Sequence, residues 1–262
     1  MNKEDILFVG YGNMTLAILR GIISSRLFET YNLFVCGRNS KKASSFLKNN
    51  GLNDIVQVSL IDNHQVLVKD KTVFLCIKPD GLQNFKFIGR AKNVISVMAG
   101  VQVSIIKKHL DSMGYVRVMP NVAAKYQKSS SAIFIDNANL DEIKRLVLSF
   151  GNFVQVDKEA LIDSAIATSG SAPAFVALMA QALIDAGVRE GFNRLQSQEL
   201  VRGMFEGFSL LLREKTPQEI IDEIASPGGT TIEGISTLEK HAFKGIVMEA
   251  TNQAVLKARK KS

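Results

Sequence analysis

Near the end of the chain, Ser226-Pro227-Gly228-Gly229-Thr230-Thr231-Ile232 sets two glycines and two hydroxyls beside a helical pattern. Glycine lets a backbone turn tightly and approach a ligand closely, because no Cβ intervenes. Thr230 and Glu233 have the T-x-x-E spacing of a capping box, which predicts a helix start with Thr230 as its cap. Amides at such a start, with the positive end of the helix dipole, bind small anions. With Glu233 closing onto the Thr230 amide, the donors left for an anion are those of Gly229, Thr231 and Ile232. Thr231 is then the free hydroxyl.

At the other end of the chain, Gly10-Tyr11-Gly12-Asn13-Met14-Thr15 follows the apolar run Ile6–Val9 and opens a helical pattern. The first glycine suits a tight strand-to-helix turn, and the second lets a pyrophosphate approach the helix N-terminus. Thr15 stands where the fingerprint has its third glycine. This context predicts a dinucleotide site with Gly10, Gly12, Asn13 and Met14 at the phosphates. The second strand ends in Val35-Cys36-Gly37-Arg38-Asn39-Ser40-Lys41, without the acid that would bond a free ribose 2′-hydroxyl. Arg38 can instead pair with a 2′-phosphate, and Asn39 and Ser40 can add donors. NADP(H) is therefore expected over NAD(H), with NADH still possible. Cys76-Ile77-Lys78-Pro79, Met98-Ala99-Gly100 and Met119-Pro120-Asn121 close three further strands, at the edge where open α/β sheets bind ligands. Lys78, with Pro79 beside it, can either hydrogen-bond a cofactor ribose or merely cap the sheet, and Ala99, Gly100 and Asn121 lie where a nicotinamide would rest.

These loops need elements to hold them. Short β-branched runs at Ile6–Val9, Leu33–Cys36, Ile55–Val58, Val73–Ile77, Val94–Val97, Tyr115–Met119, Ala132–Ile135 and Phe153–Val156 read as strands. Helical patterns lie over Met14–Ser25, Ser40–Asn49, Val103–Asp111 and Leu140–Phe150. The alternation predicts a mainly parallel, doubly wound sheet of the Rossmann type over residues 1–157. From Lys158 only helical patterns follow, giving an all-helical second domain over 158–262. Leu200, Val201, Met204, Phe205, Phe208, Leu211 and Leu212 form one apolar face there, and Phe243, Ile246, Val247, Ala250, Ala254 and Val255 another. So much apolar helix surface fits either a subunit interface or a monomeric bundle.

Composition narrows the class. The 262 residues are 46% hydrophobic and carry a net charge of +7. The basic residues are dispersed without accompanying aromatics, so attraction of anionic cofactors and metabolites is expected rather than nucleic-acid binding. The longest apolar stretch, Ala172–Ile184, is interrupted by Gln181 and reads as too short to span a bilayer. The sequence starts without a secretory leader pattern, which predicts a cytoplasmic protein. Cys36 and Cys76 read as buried thiols in a reducing compartment. His64, His109 and His241 show no ligand spacing, and no metal is expected.

Together, Gly10–Met14, Cys76-Ile77-Lys78-Pro79, Val118-Met119-Pro120-Asn121, Ser169-Gly170-Ser171-Ala172-Pro173 and Ser226–Thr231 resemble the motifs of pyrroline-5-carboxylate reductases, in that family's order and over nearly the whole length. The Ser-Pro-Gly-Gly-x-Thr segment is the most specific of them. The resemblance implies a nucleotide-binding domain followed by a helical domain that interlocks with a second subunit. It implies a homodimer or a higher homo-oligomer built from dimers, and hydride transfer from NAD(P)H to the C5=N bond of L-1-pyrroline-5-carboxylate. It also implies Thr231 as the catalytic residue at the substrate nitrogen, with Ser226, Gly229 and Thr230 in the loop holding the carboxylate. The chain departs from the family pattern at Thr15, Val122-Ala123, Ala172 and Phe175. Two other readings stay open from the residues alone. One is an NADP-dependent reductase of another imine or a β-hydroxyacid, and the other a non-catalytic NADP-binding regulatory protein.

Overall fold

The computed structural model describes residues 3–60 and 65–260; His64 lies outside them. The main sheet has eight strands: β1 (Glu4–Val9), β2 (Tyr31–Cys36), β3 (Val56–Val58), β5 (Thr72–Leu75), β7 (Ala91–Ser96), β8 (Ser112–Met119), β9 (Ser129–Asp136) and β10 (Gly151–Gln155). Two further strands, β4 (Gln65–Leu67) and β6 (Lys86–Ile88), pair separately and in parallel. The main order is β10-β9-β8-β7-β5-β1-β2-β3. From β3 to β8 all neighbours are parallel, as predicted. This is the dinucleotide-binding order, which reverses direction at β1. Beyond it, β9 runs antiparallel to β8, and β10 follows β9 in parallel.

The sequence of β1 explains its central place. Ile6, Leu7, Phe8 and Val9 are all fully buried, because helices cover both faces of the sheet. Successive side chains point to opposite faces. Ile6 and Phe8 join a core with Ile18, Leu19 and Ile22 of helix α1 (Asn13–Ser24) and with Ile143, Leu146 and Val147 of α4 (Leu140–Leu148). Phe8 stacks on Phe74 with ring centroids 4.7 Å apart. Leu7 and Val9 join the opposite core, with Val73, Leu75 and the Val103 and Ile106 side chains of α3 (Val103–His109). Helix α2 spans Ser40–Asn49, as predicted, with Asn39 accepting from the Lys42 amide at 2.9 Å. The strands β4 and β6 escaped prediction because each is three residues long and carries polar or exposed residues.

After β10 the described chain is helical, as expected: α5 (Ala160–Ser164), a π turn (Ile166–Gly170), α6 (Ala172–Arg189), α7 (Arg194–Glu214), α8 (Pro217–Ile224), α9 (Thr230–Lys240) and α10 (Phe243–Arg259). Asn193 and Thr216 close reciprocal capping boxes onto Gln196 and Glu219, which fix the starts of α7 and α8. By contacts the chain forms two compact units, Met1–Ser171 with Gln253–Ser262, and Ala172–Asn252. The period change at 157/158 and the packing boundary at 171/172 differ for a physical reason. Ile162, Ile166 and Val255 are buried with Met119 and Ala132 of the sheet, so the first helical turns and the last helix end belong to the sheet unit.

One expectation is corrected. The helical run Ala160–Arg189 contains an 18-residue window of mean hydropathy 1.5, long and apolar enough to cross a membrane by length and composition alone. The stretch Ala172–Ile184 is part of a longer run in the structure, because α5 and the π turn precede α6 without a break. In the second unit, Leu200, Met204, Phe208, Leu211 and Leu212 of α7 are exposed, as are Ile246, Val247 and Met248 of α10. Much of the two predicted apolar faces is therefore exposed, whereas Val255, placed on the second face, is buried with Met119 and Ala132.

Candidate functional site

The ends of β1, β2 and β5 enclose a groove of about 430 Å³ at the point where strand order reverses. Gly10, Gly12, Arg38 and Lys78 all line it, together with Tyr11 and Cys76. Gly10 has φ +111°, and a Cβ there would stand 2.5 Å from the Cys76 carbonyl oxygen. Its amide donates to the Cys36 carbonyl at 2.8 Å, so it is tied to both neighbouring strand ends. A Cβ at Gly12 would meet nothing within 4 Å, which leaves that approach clear for a ligand. Gly12 is the N-cap of α1 and supplies no side-chain cap. The first amides of a helix lack intrahelical acceptors, so those of Asn13 and Met14 are left for an anion.

Thr15 has a definite job in place of the third glycine. It is fully buried, and its hydroxyl donates to the Gly10 carbonyl at 3.0 Å, which holds the glycine loop. Burial pushes the thiols of Cys36 and Cys76 up to about 12, slightly opposed by Lys71 at Cys36 and by the Thr15 hydroxyl at Cys76. Neither is a nucleophile near neutral pH.

Arg38 is exposed and makes no ion pair among the described residues. It stands before α2, whose first residue is Ser40. The Asn39 oxygen is used in capping that helix, which leaves its amide nitrogen and the helix-start amides for a ligand. This donor set fits a 2′-phosphate. Arg38→Ser is expected to weaken NADPH binding about tenfold to a hundredfold, the loss of a charge-assisted pair. NADH binding should change little, as two fluorescence titrations would measure. Lys78 is exposed and precedes a 3₁₀ turn, Pro79–Asn84, with Pro79 at its first position.

Pro79, Ala99, Gly100 and Asn121 lie along the same carboxyl edge but not in the groove itself. Asn121 is buried and engaged at both ends of its amide. Its oxygen accepts from the Ala123 amide at 3.0 Å, and its nitrogen donates to the Ser169 carbonyl at 3.2 Å. The Gly100 amide donates to Asp163 Oδ1 at 2.8 Å. Arg117, which sequence reasoning missed, pairs with the same carboxylate at 2.8 Å. Its signal was one arginine inside the otherwise apolar run Tyr115–Met119.

In the second unit, Ser226–Gly229 forms a turn closed by the Gly229 amide on the Ser226 carbonyl at 3.0 Å. Pro227 at the second position and Gly228 at φ +71° give it the character of a type II turn. The predicted capping box does not form. Gly229, at φ −83° and ψ 167°, is the N-cap of α9, no side chain caps it, and Thr230 is already the first helical residue. Glu233 therefore lies one position too far along to reach back. The Gly229 amide is consumed by the turn, so the donors at the helix start are those of Thr230, Thr231 and Ile232. Thr230 is exposed and Thr231 half-buried, and neither hydroxyl has a partner among the described residues. Among the described residues there is also no cluster that could hold a metal.

The family described as pyrroline-5-carboxylate reductase dimerisation matches residues 159–261, and that described as NADP oxidoreductase, coenzyme F420-dependent, matches residues 5–100. A pyrroline-5-carboxylate reductase of Helicobacter pylori is 42% identical over 98% of this chain and 99% of its own. The chain belongs to the pyrroline-5-carboxylate reductase family. Among solved structures, the reductase of Streptococcus pyogenes covers 99% of this chain and all of its own, with a TM-score of 0.85 at 26% identity. A Plasmodium falciparum pyrroline carboxylate reductase with NADP bound covers 100% of this chain and 99% of its own, with a TM-score of 0.80 at 27% identity. The residues that line the groove at β1, β2 and β5 all fall within residues 5–100, the span matched to the NADP oxidoreductase family. The helical region matched to the dimerisation family contains the uncovered faces of α7 and α10.

Proposed function

We propose that this reductase converts L-1-pyrroline-5-carboxylate to L-proline with NADPH, the last step of proline biosynthesis. The full-length relationship to the Helicobacter pylori reductase carries the reading, and the unpaired Arg38 at the end of β2 supports the phosphorylated cofactor. NADH serves as a weaker donor. The protein acts as a homodimer, or a higher homo-oligomer built from dimers, through the exposed helical faces in 158–262. Residues 1–157 serve the cofactor. The two unpaired thiols support a reducing, cytoplasmic setting.

When bound, the cofactor supplies a hydride, a hydrogen nucleus with two electrons. Delivered to C5 of the protonated imine, that hydride would send the C=N π pair onto nitrogen and leave proline and NADP⁺. The chain's residues bind and orient. The Gly10–Gly12 turn and the amides of Asn13 and Met14 take the pyrophosphate. Arg38, Asn39 and Ser40 take the 2′-phosphate, and Lys78 and Pro79 flank the ribose. Ala99, Gly100 and Asn121 form the nicotinamide end of the edge. The amides of Thr230, Thr231 and Ile232 take the substrate carboxylate, within the loop begun by Ser226 and Gly229. The Thr231 hydroxyl orients the imine nitrogen and holds its proton.

Purified protein mixed with NADPH and the imine should consume NADPH and form proline. Folded protein that binds NADPH but leaves the imine untouched would overturn the reading.

A further inference from the structure

Arg117 sits in β8 beside Ser96 of β7, with its side chain only 1% exposed. Its Nη2 donates to Asp163 Oδ1 at 2.8 Å and to the Met98 carbonyl at 3.5 Å. Its Nη1 donates to Asp163 Oδ2 at 3.2 Å and to Glu159 Oε1 at 3.4 Å. The two carboxylates act in turn on the segment after β7. Asp163 Oδ1 accepts the Gly100 amide at 2.8 Å, and Glu159 Oε1 accepts the Val103 amide at 2.7 Å. One cluster, buried at Arg117 and Asp163 and partly exposed at Glu159, thus grips this segment at a carbonyl and two amides.

Stability alone is a poor reason for the arrangement. Replacing a buried ion pair with apolar residues of similar volume is often neutral or stabilising. The neighbours Val116 and Val118 are almost fully buried, so an apolar residue would suit the strand. The Arg117 Nε is also buried without a hydrogen-bond partner, a further cost the fold tolerates. An apolar replacement could not supply direction. A bidentate guanidinium fixes the orientation of the Asp163 carboxylate, and the carboxylate fixes the Gly100 amide. Gly100 has φ +75°, so its peptide has a sharply defined direction to hold.

We propose that Arg117 and Asp163 are a positioning pair for the reaction, holding the turn Met98–Gly100 in the place a nicotinamide requires. The inference rests on the reductase reading above. In that reading the phosphates bind at Gly10–Met14 and Arg38, away from this turn. Loosening the turn should therefore impair hydride transfer and leave NADPH binding nearly intact.

The test uses the full chain with Arg117→Met and Asp163→Leu combined, which removes both charges of the buried pair and leaves the partly exposed Glu159 its bond from the Val103 amide. Asp163→Asn serves beside it as a variant that keeps shape and one acceptor. Thermal melting reports folding, fluorescence titration the NADPH affinity, and amide exchange the protection of residues 98–103. In the double variant, exchange in that segment should rise about tenfold or more. Its kcat should fall about tenfold or more, with NADPH Kd within about threefold of wild type. Asp163→Asn should lie between it and wild type. Simple loss of folded protein would lower the active fraction without changing exchange in the segment relative to the rest of the sheet. Folded double variant with wild-type kcat overturns the inference, whatever its exchange. If the double variant does not fold, Asp163→Asn decides by the same readouts: wild-type kcat and protection overturn it. Wild-type protein inert toward the imine would instead overturn the reductase reading.

Discussion

Gly10→Ala is expected to weaken NADPH binding about tenfold to a hundredfold, the equivalent of about 1–3 kcal/mol of backbone strain. Two independent constraints act there. The φ of +111° is a conformation that side-chain-bearing residues rarely adopt, and the added methyl would lie 2.5 Å from the Cys76 carbonyl oxygen. That oxygen is backbone at the end of β5, so no side-chain rotation relieves the clash. The loop must lift away from β5, carrying the start of α1 with it. It also strains the hydrogen bonds from Gly10 to Cys36 and from Thr15 to Gly10. Strain of this kind costs about 1–3 kcal/mol, so the fold should survive at lower stability. Fluorescence titration with NADPH and a urea melt check both parts. Wild-type affinity in Gly10→Ala would show that the turn does not set the phosphate position.

Thr231→Ala is expected to lower kcat/KM by about a hundredfold, within the range for losing a positioned proton-handling or charge-stabilising group. The absence of a capping box makes the experiment clean. Gly229 is the N-cap, and neither threonine hydroxyl supports the helix start through a hydrogen bond among the described residues. Alanine at 231 therefore removes no cap, and its melting temperature should stay within about 2 °C of wild type. NADPH affinity, set in the other unit, should be unchanged. Thr230→Ala, at an exposed first helical position, should act mainly through KM. A fall in melting temperature of about 5 °C or more, with equal loss of activity and NADPH binding, would assign Thr231 a structural role instead.

Much of this was legible in the residues because local chemistry dictated it. A glycine pair after an apolar strand, β-branched runs between helical patterns, and Pro-Gly-Gly before a helix each admit few conformations. The strands from β1 to β8 in the main sheet and the whole of α2 followed. The helix start at 230 misled because T-x-x-E is a spacing rule. The extended Gly229 takes the cap position and moves the first helical residue to Thr230. Arg117 was hidden for another reason. Its meaning depends on Asp163, 46 positions away along the chain, and on a turn after a different strand. Spacing in the sequence carries no trace of that meeting. The partition of apolar helix surface between core and subunit face was equally unreadable, since one amphipathic pattern serves both.

The most direct measurement follows the hydride itself. NADPH carrying deuterium at C4 of the dihydronicotinamide, on the transferred face, is turned over with L-1-pyrroline-5-carboxylate, and the proline is examined by mass spectrometry and NMR. The account predicts proline bearing one deuterium at C5, formed in step with NADPH loss. NADPH loss without proline, or proline lacking deuterium at C5, would contradict it.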